Sequence, residues 1–181
     1  MWACSPLHTM DLEYYESWKT FTTDIPKPLS SSLRHMIISQ DQFCFFQSPD
    51  KWGALSQVNT ITFRNEGFCH FINQRCFLPP SIHTIIFHVR DFPSTPPIFP
   101  YIKRIGLTGT GALAPEEYDN ALNMFVGSEE SLFPSLDMIR FVDGFLPDIL
   151  GQREFQFREW DRKCRWRGIR LEAEMGQLTA P

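Results

Sequence analysis

A spaced apolar triplet recurs along this chain: an apolar residue, two others, an apolar residue, one other, and a third apolar residue. It reads Leu33-x-x-Met36-x-Ile38, Val58-x-x-Ile61-x-Phe63, Ile82-x-x-Ile85-x-Phe87, Ile102-x-x-Ile105-x-Leu107, Leu136-x-x-Ile139-x-Phe141 and Trp166-x-x-Ile169-x-Leu171. The last two positions of each triplet have the period of two that marks a strand with one buried face. Three fixed apolar positions also coincide by chance in a chain this rich in them. The weight therefore rests on three further features. The hits are dominated by β-branched and aromatic residues, which suit a pleated strand. Five of the six follow Pro, Ser or Gly within a few residues, and all are spread through the chain.

Between the triplets the pattern changes. Pro115 to Val126 is the clearest helix: Pro115 fits its first position, Glu116 and Glu117 its first turn, and Gly127 follows its end. Tyr118, Leu122 and Phe125 share one face of it. A second helix is expected from about Glu154 to Arg167, with Phe157, Trp160 and Cys164 on one face and Gly168 as its stop. Asp11 to Phe21 is a third candidate. Asp91 to Pro100 holds four prolines and reads as a loop.

Short strands alternating with helices or loops predict an α/β architecture. The triplet starts fall at 33, 58, 82, 102, 136 and 166. Three of the five intervals fit the ~20–29-residue period of a leucine-rich repeat, and two are stretched. The expected fold is a leucine-rich-repeat-like solenoid with irregular repeats and a mainly parallel sheet of about six strands. It forms one domain over 1–181, with 1–32 as an N-terminal cap region and 154–181 as a C-terminal helix, last strand and tail. Such rungs close their core only by stacking on their neighbours. Strand residues alone bury too little, so Trp52, Phe71, Phe77, Phe125, Phe133 and Trp160 are expected to complete it.

Two stretches carry a family resemblance. Phe133-Pro-Ser-Leu136-Asp-Met-Ile139-Arg-Phe141-Val-Asp143 and Trp160-Asp-Arg-Lys-Cys164-Arg-Trp-Arg-Gly168-Ile-Arg-Leu-Glu172 resemble the repeat units of fungal F-box proteins with leucine-rich repeats. The resemblance covers roughly 130–176 and extends loosely over the rest. It implies a fungal, intracellular protein whose repeats bind another protein, as F-box repeats bind substrates. An F-box itself is not evident before Leu33, and Leu146-Pro-Asp-Ile-Leu150 lies between two triplets. Ligase-adaptor activity is accordingly not implied. A fragment of a longer chain without independent function, and a small enzyme of unrecognised class, are the alternative readings.

Composition narrows the partners. The chain has 181 residues, 43% of them hydrophobic and 21% charged, with 17 phenylalanines. A net charge of −4 argues against nonspecific nucleic-acid binding. No apolar run approaches the ~18 residues of a membrane span. The N-terminus lacks a charged region followed by an apolar run, so no secretory signal is expected. Five scattered cysteines and no N-x-[ST] sequon fit a reducing compartment, cytoplasmic or nuclear.

Few motifs offer chemistry. Cys69, Cys76, His83 and His88 supply four metal-ligand types within twenty residues, but their spacing is unlike that of zinc knuckles. His83 and His88 are moreover five apart around one strand, which turns them to opposite faces. Gly106-Leu-Thr-Gly109-Thr-Gly111 follows a strand like a phosphate loop. It lacks the Gly-Lys-Ser/Thr ending, however, and Glu116 and Glu117 would repel phosphate. A turn is the simpler reading. Arg90-x-x-Pro93-x-x-Pro96 matches a proline-rich ligand and equally a corner between strands. No cofactor and no catalytic residue is nominated. The face opposite the triplets is the stronger candidate. It is expected to carry Arg64, Arg104, Arg140, Arg170 and His88, and arginine clusters suit an acidic partner. A solvated polar face without a partner is the competing reading.

Overall fold

The computed structural model describes residues 8–11, 31–39, 52–64, 67–73, 78–91, 97–109, 120, 123–127, 132–142 and 152–173. In chain order these form β1 (Thr9–Asp11), β2 (His35–Ile38), a 3-10 turn (Gly53–Leu55), β3 (Thr60–Phe63), α1 (Gly67–Asn73), β4 (Thr84–His88), β5 (Arg104–Thr108), a π-helical turn (Asn123–Gly127), β6 (Met138–Phe141), α2 (Gln152–Trp166) and β7 (Arg170–Ala173). These seven strands make one sheet in the order of the sequence, and every pair is parallel.

Register follows the triplets. Met10, Met36, Ile61, Ile85, Ile105, Ile139 and Leu171 stand side by side across the sheet. In five strands the next inward position is Ile38, Phe63, Phe87, Leu107 or Phe141, all buried. The first triplet residues Leu33, Val58, Ile82, Ile102 and Leu136 are buried just ahead of their strands.

The backbone repeats with the side chains. The carbonyl one residue before a strand accepts two N–H groups from the next rung. His8 serves Arg34 and His35, Arg34 serves Asn59 and Thr60, and Asn59 serves His83 and Thr84. His83 then serves Lys103 and Arg104, and Lys103 serves Asp137 and Met138. A tight turn precedes three rungs, with Val58, Ile82 and Leu136 donating to Leu55, Pro79 and Phe133. Equivalent residues thus make equivalent bonds in successive rungs, which sequential parallel stacking requires.

The core lies on one face of the sheet. Phe63 packs on Phe68 and Phe71 of α1 with ring centroids 5.1 Å apart in both cases. Phe68 stacks on Phe87 at 4.4 Å, and Phe99 on Phe133 at 5.2 Å. Trp160 of α2 meets Phe141 at 5.3 Å. Trp52, Phe71, Phe125, Phe133 and Trp160 are all buried, as the core demands, while Phe77 lies outside the described residues.

Three expectations need correction. The described residues hold seven strands rather than about six, because β1 lies within the region read as a cap, and Asp11 belongs to it rather than to a helix. Met10 fills the central inward position of β1, and the sequence Leu7-x-x-Met10-x-Leu12 repeats the triplet there. The sixth triplet is out of register by two. Leu171, not Ile169, stands beside Ile139, and Trp166 is 85% exposed. Trp166 closes α2 about 200° around the helix from Cys164, so it faces away from the core. Gly168, at φ 73°, then ends the helix: Ile169 donates back to the Cys164 carbonyl at 2.8 Å and Gly168 to Arg165 at 3.0 Å. The helix of 115–126 falls mostly outside the described residues. Within its last part, Phe125 and Val126 are buried in the π-helical turn.

Candidate functional site

Alternation on every strand turns a second set of residues to the face opposite the core. By register, one row runs Thr9, His35, Thr60, Thr84, Arg104, Met138 and Arg170. The next runs Asp11, Ile37, Thr62, Ile86, Gly106, Arg140 and Glu172. Except for Gly106, these residues are exposed or half-buried. The register slip at β7 moves Arg170 from the row of Arg140 to that of Arg104 and sets Glu172 beside Arg140.

The four arginines do not form one group. Arg64 follows β3 and makes an ion pair with Asp11 of β1, reaching across β2. Both side chains are about half-buried, so this arginine ties the first three strands together. Arg104, Arg140 and Arg170 project from β5, β6 and β7, and all three are exposed. Arg170 Nε donates to Glu172 Oε1 at 3.1 Å on the same strand.

His88 has a structural role. Its Nδ1 accepts a hydrogen bond from the Arg90 N–H at 3.3 Å. Its ring lies against Gly109, where an added Cβ would come within 2.0 Å of Nε2. Gly109 also has φ +73°, so both conformation and space demand glycine there. Gly106 is not part of a loop but sits in the middle of β5. A Cβ on it would meet Ile86 Cγ1 at 2.8 Å and Val142 Cγ2 at 3.0 Å. The likeness to a phosphate loop therefore ends at its first glycine, which serves a close apolar contact between strands.

The proposed metal ligands are not assembled among the described residues, which contain no group of three His, Cys, Asp or Glu able to hold an ion. Cys69 lies on α1 and accepts from Asn73 Nδ2 at 3.4 Å. His83 precedes β4 and pairs with Thr84 Oγ1 at 3.2 Å. His88 ends the same strand, and Cys76 lies outside the described residues.

Two histidines are held below their ordinary pKa. Burial holds His35 below its ordinary pKa of 6.5, and its Nε2 lies 2.8 Å from Thr62 Oγ1 on the neighbouring strand. His83 is also lowered, first by burial and then by the charges of Arg104 and Lys103, with Asp137 opposing. Arg104 and Lys103 thus stand near His83 at the start of β5, with Asp137 beside them.

Sequence reasoning missed Asp91. Its carboxylate is buried and accepts from the N–H groups of Phe68 at 2.6 Å and Cys69 at 2.9 Å. Both N–H groups belong to the first turn of α1, where the helix itself supplies no acceptor, so Asp91 caps that helix from 22–23 residues away. Only the type of residue, an aspartate in a proline-rich stretch, hints at a special role. No described helix is long and apolar enough to cross a membrane. No protein-family model, curated protein or solved structure matches the chain.

Proposed function

We propose that this chain is a non-enzymatic protein-recognition module: an irregular leucine-rich-repeat-type solenoid that docks a partner protein on its open sheet face. One observation carries the reading. Seven parallel strands are stacked in sequence order with the aliphatic and aromatic core on one face, which leaves threonines, histidines and arginines in register on the other. The repeated double acceptance by the carbonyls before β1 to β5 supports a rung-by-rung solenoid. The resemblance of 133–143 and 160–172 to the repeats of fungal F-box proteins points the same way, toward a protein partner met inside the cell, in cytoplasm or nucleus. Adaptor docking is no part of the proposal.

The test is affinity capture from cell extract with quantitative mass spectrometry. Thr62→Arg and Thr84→Arg place bulk on the open face, and Arg162→Glu alters the exposed side of α2. Partners that both threonine variants lose and the α2 variant keeps are the expected result. A partner set indifferent to both face variants refutes the reading.

A further inference from the structure

The open face is chemically divided. Over β1–β4 it presents mostly Thr9, His35, Thr60, Thr62 and Thr84; Arg64 on that side is held by Asp11, and Arg34, ahead of β2, donates to the Ser31 and Leu33 carbonyls. Over β5–β7 it presents Arg104, Arg140 and Arg170, all exposed, with the carboxylate of Glu172 among them. Lys103 adds charge at the same end, and Asp137 opposes it. This concentration stands on a chain whose overall charge is −4.

Beside the arginines lies a low apolar saddle. Ile86 and Val142 close over the backbone of Gly106, so near that even a Cβ would collide with them. No side chain rises from the centre of β5 at this point.

Spacing decides what fits. Neighbouring strands are ~4.8 Å apart and alternate residues along a strand ~6.7 Å. Arg104 and Arg170, two strands apart in one row, have backbones separated by about 10 Å. Arg140 lies on the strand between them and two residues further along. Alternate side chains of an extended peptide recur at the same ~6.7 Å, within reach of these long side chains. Arginine pairs with carboxylates through two parallel hydrogen bonds. The Arg170–Glu172 pair, with side chains 64% and 38% exposed, is open to exchange with an incoming carboxylate.

We infer that the face from Ile86 of β4 across β5–β7 binds an extended acidic segment of a partner protein. An apolar residue of that segment rests on the Ile86–Gly106–Val142 saddle, and flanking carboxylates meet Arg104, Arg140 and Arg170. The inference rests on the recognition reading and names its partner's chemistry. Charge complementarity selects against basic segments and quickens encounter with acidic ones.

The experiment is a random-peptide display selection on the immobilised full chain, followed by anisotropy measurements with the enriched peptide. Enriched sequences are expected to place two or more Asp or Glu around an apolar residue. Their affinity should fall at least about tenfold in Arg104→Glu/Arg140→Glu, and fall less in Arg104→Gln/Arg140→Gln. It should also weaken between about 0.05 M and about 0.3 M salt, as screened charge pairs do. Far-UV circular dichroism of the variants should match that of the parent chain, because both arginines lie outside the core. Enriched peptides without acids, or acidic peptides that bind the Glu variant equally well, overturn this inference and leave face recognition standing if Thr62→Arg or Thr84→Arg abolishes binding. Selection of no peptide that any open-face substitution releases overturns both.

Discussion

Replacing Asp91 by alanine should unseat α1 and loosen the aromatic core beneath it. The helix has seven residues, too few to persist on its own. Phe68 and Phe71 anchor it against Phe63 and Phe87, and Asp91 satisfies its Phe68 and Cys69 N–H groups. Loss of a capping side chain costs ~0.5–2 kcal/mol. Here the acceptor is charged and only 4% exposed, where each such bond counts for about 1.5–3 kcal/mol and an orphaned buried donor is itself costly. A loss of about 2–4 kcal/mol is the expected result, short of the sum because water reaches part of the opened turn. Asp91→Asn keeps one acceptor oxygen and should lose about half as much. Urea unfolding at neutral pH measures both. Alkylation of Cys69, on the same helix, provides a local readout and should accelerate in Asp91→Ala more than global stability alone dictates. An alanine variant within ~0.5 kcal/mol of the parent, or an asparagine variant as damaging as alanine, would refute the capping argument.

Three further outcomes are expected. Gly109→Ala combines a left-handed φ with a collision against His88, and should lower thermal stability by roughly 1–3 kcal/mol; His88→Ala in the same chain should restore the part due to collision, as calorimetry can show. Burial pushes the Cys164 thiol up to about 12, with Asp161 adding to it, so a thiol-specific chromogenic reagent at mildly alkaline pH should leave Cys164 unmodified until denaturant unfolds α2. His35 is held below 6.5 when folded, so the unfolded chain takes up its proton first: stability should decline as pH falls through about 6.5 and level off below the folded value, and His35→Gln should flatten that part of a urea-midpoint profile.

The strands are legible in the sequence because burial on one face leaves a spaced signature. Met36, Ile61, Ile85, Ile105 and Ile139 are the central residues of their triplets and also register partners. β7 escapes the pattern because its inward positions are Leu171 and Ala173, which with Gly168 ahead of them make no apolar triplet, so the match settles on Trp166. Among the described strands β7 has a neighbour on one side, and Leu171 and Ala173 are only half-buried. α1 escapes detection because Gly67-Phe-Cys-His-Phe-Ile-Asn73 is short, opens with glycine and carries no acid in its first turn. Its stability comes from Asp91 and from the phenylalanines below it, which a local reading does not contain.

The candidate face shows the same division between what is local and what is not. Strand alternation suffices to place Arg64, Arg104, Arg140 and Arg170 outside the core, since a guanidinium has no place among Ile105, Ile139 and Phe141. Their use depends on neighbours many residues away. Arg64 meets Asp11, separated by 53 positions, and so joins β3 to β1. Arg170 changes row through the Gly168 turn and comes into line with Arg104. One half of the face therefore holds Arg64 in a bond that spans strands, while the other carries three exposed arginines on adjacent strands, with Arg170 paired to Glu172 on its own strand. Both arrangements follow from the same rung geometry, because a parallel stack brings equivalent positions side by side whatever their residues. A short stretch of sequence specifies which side a residue takes; only the completed stack determines which charges it meets there.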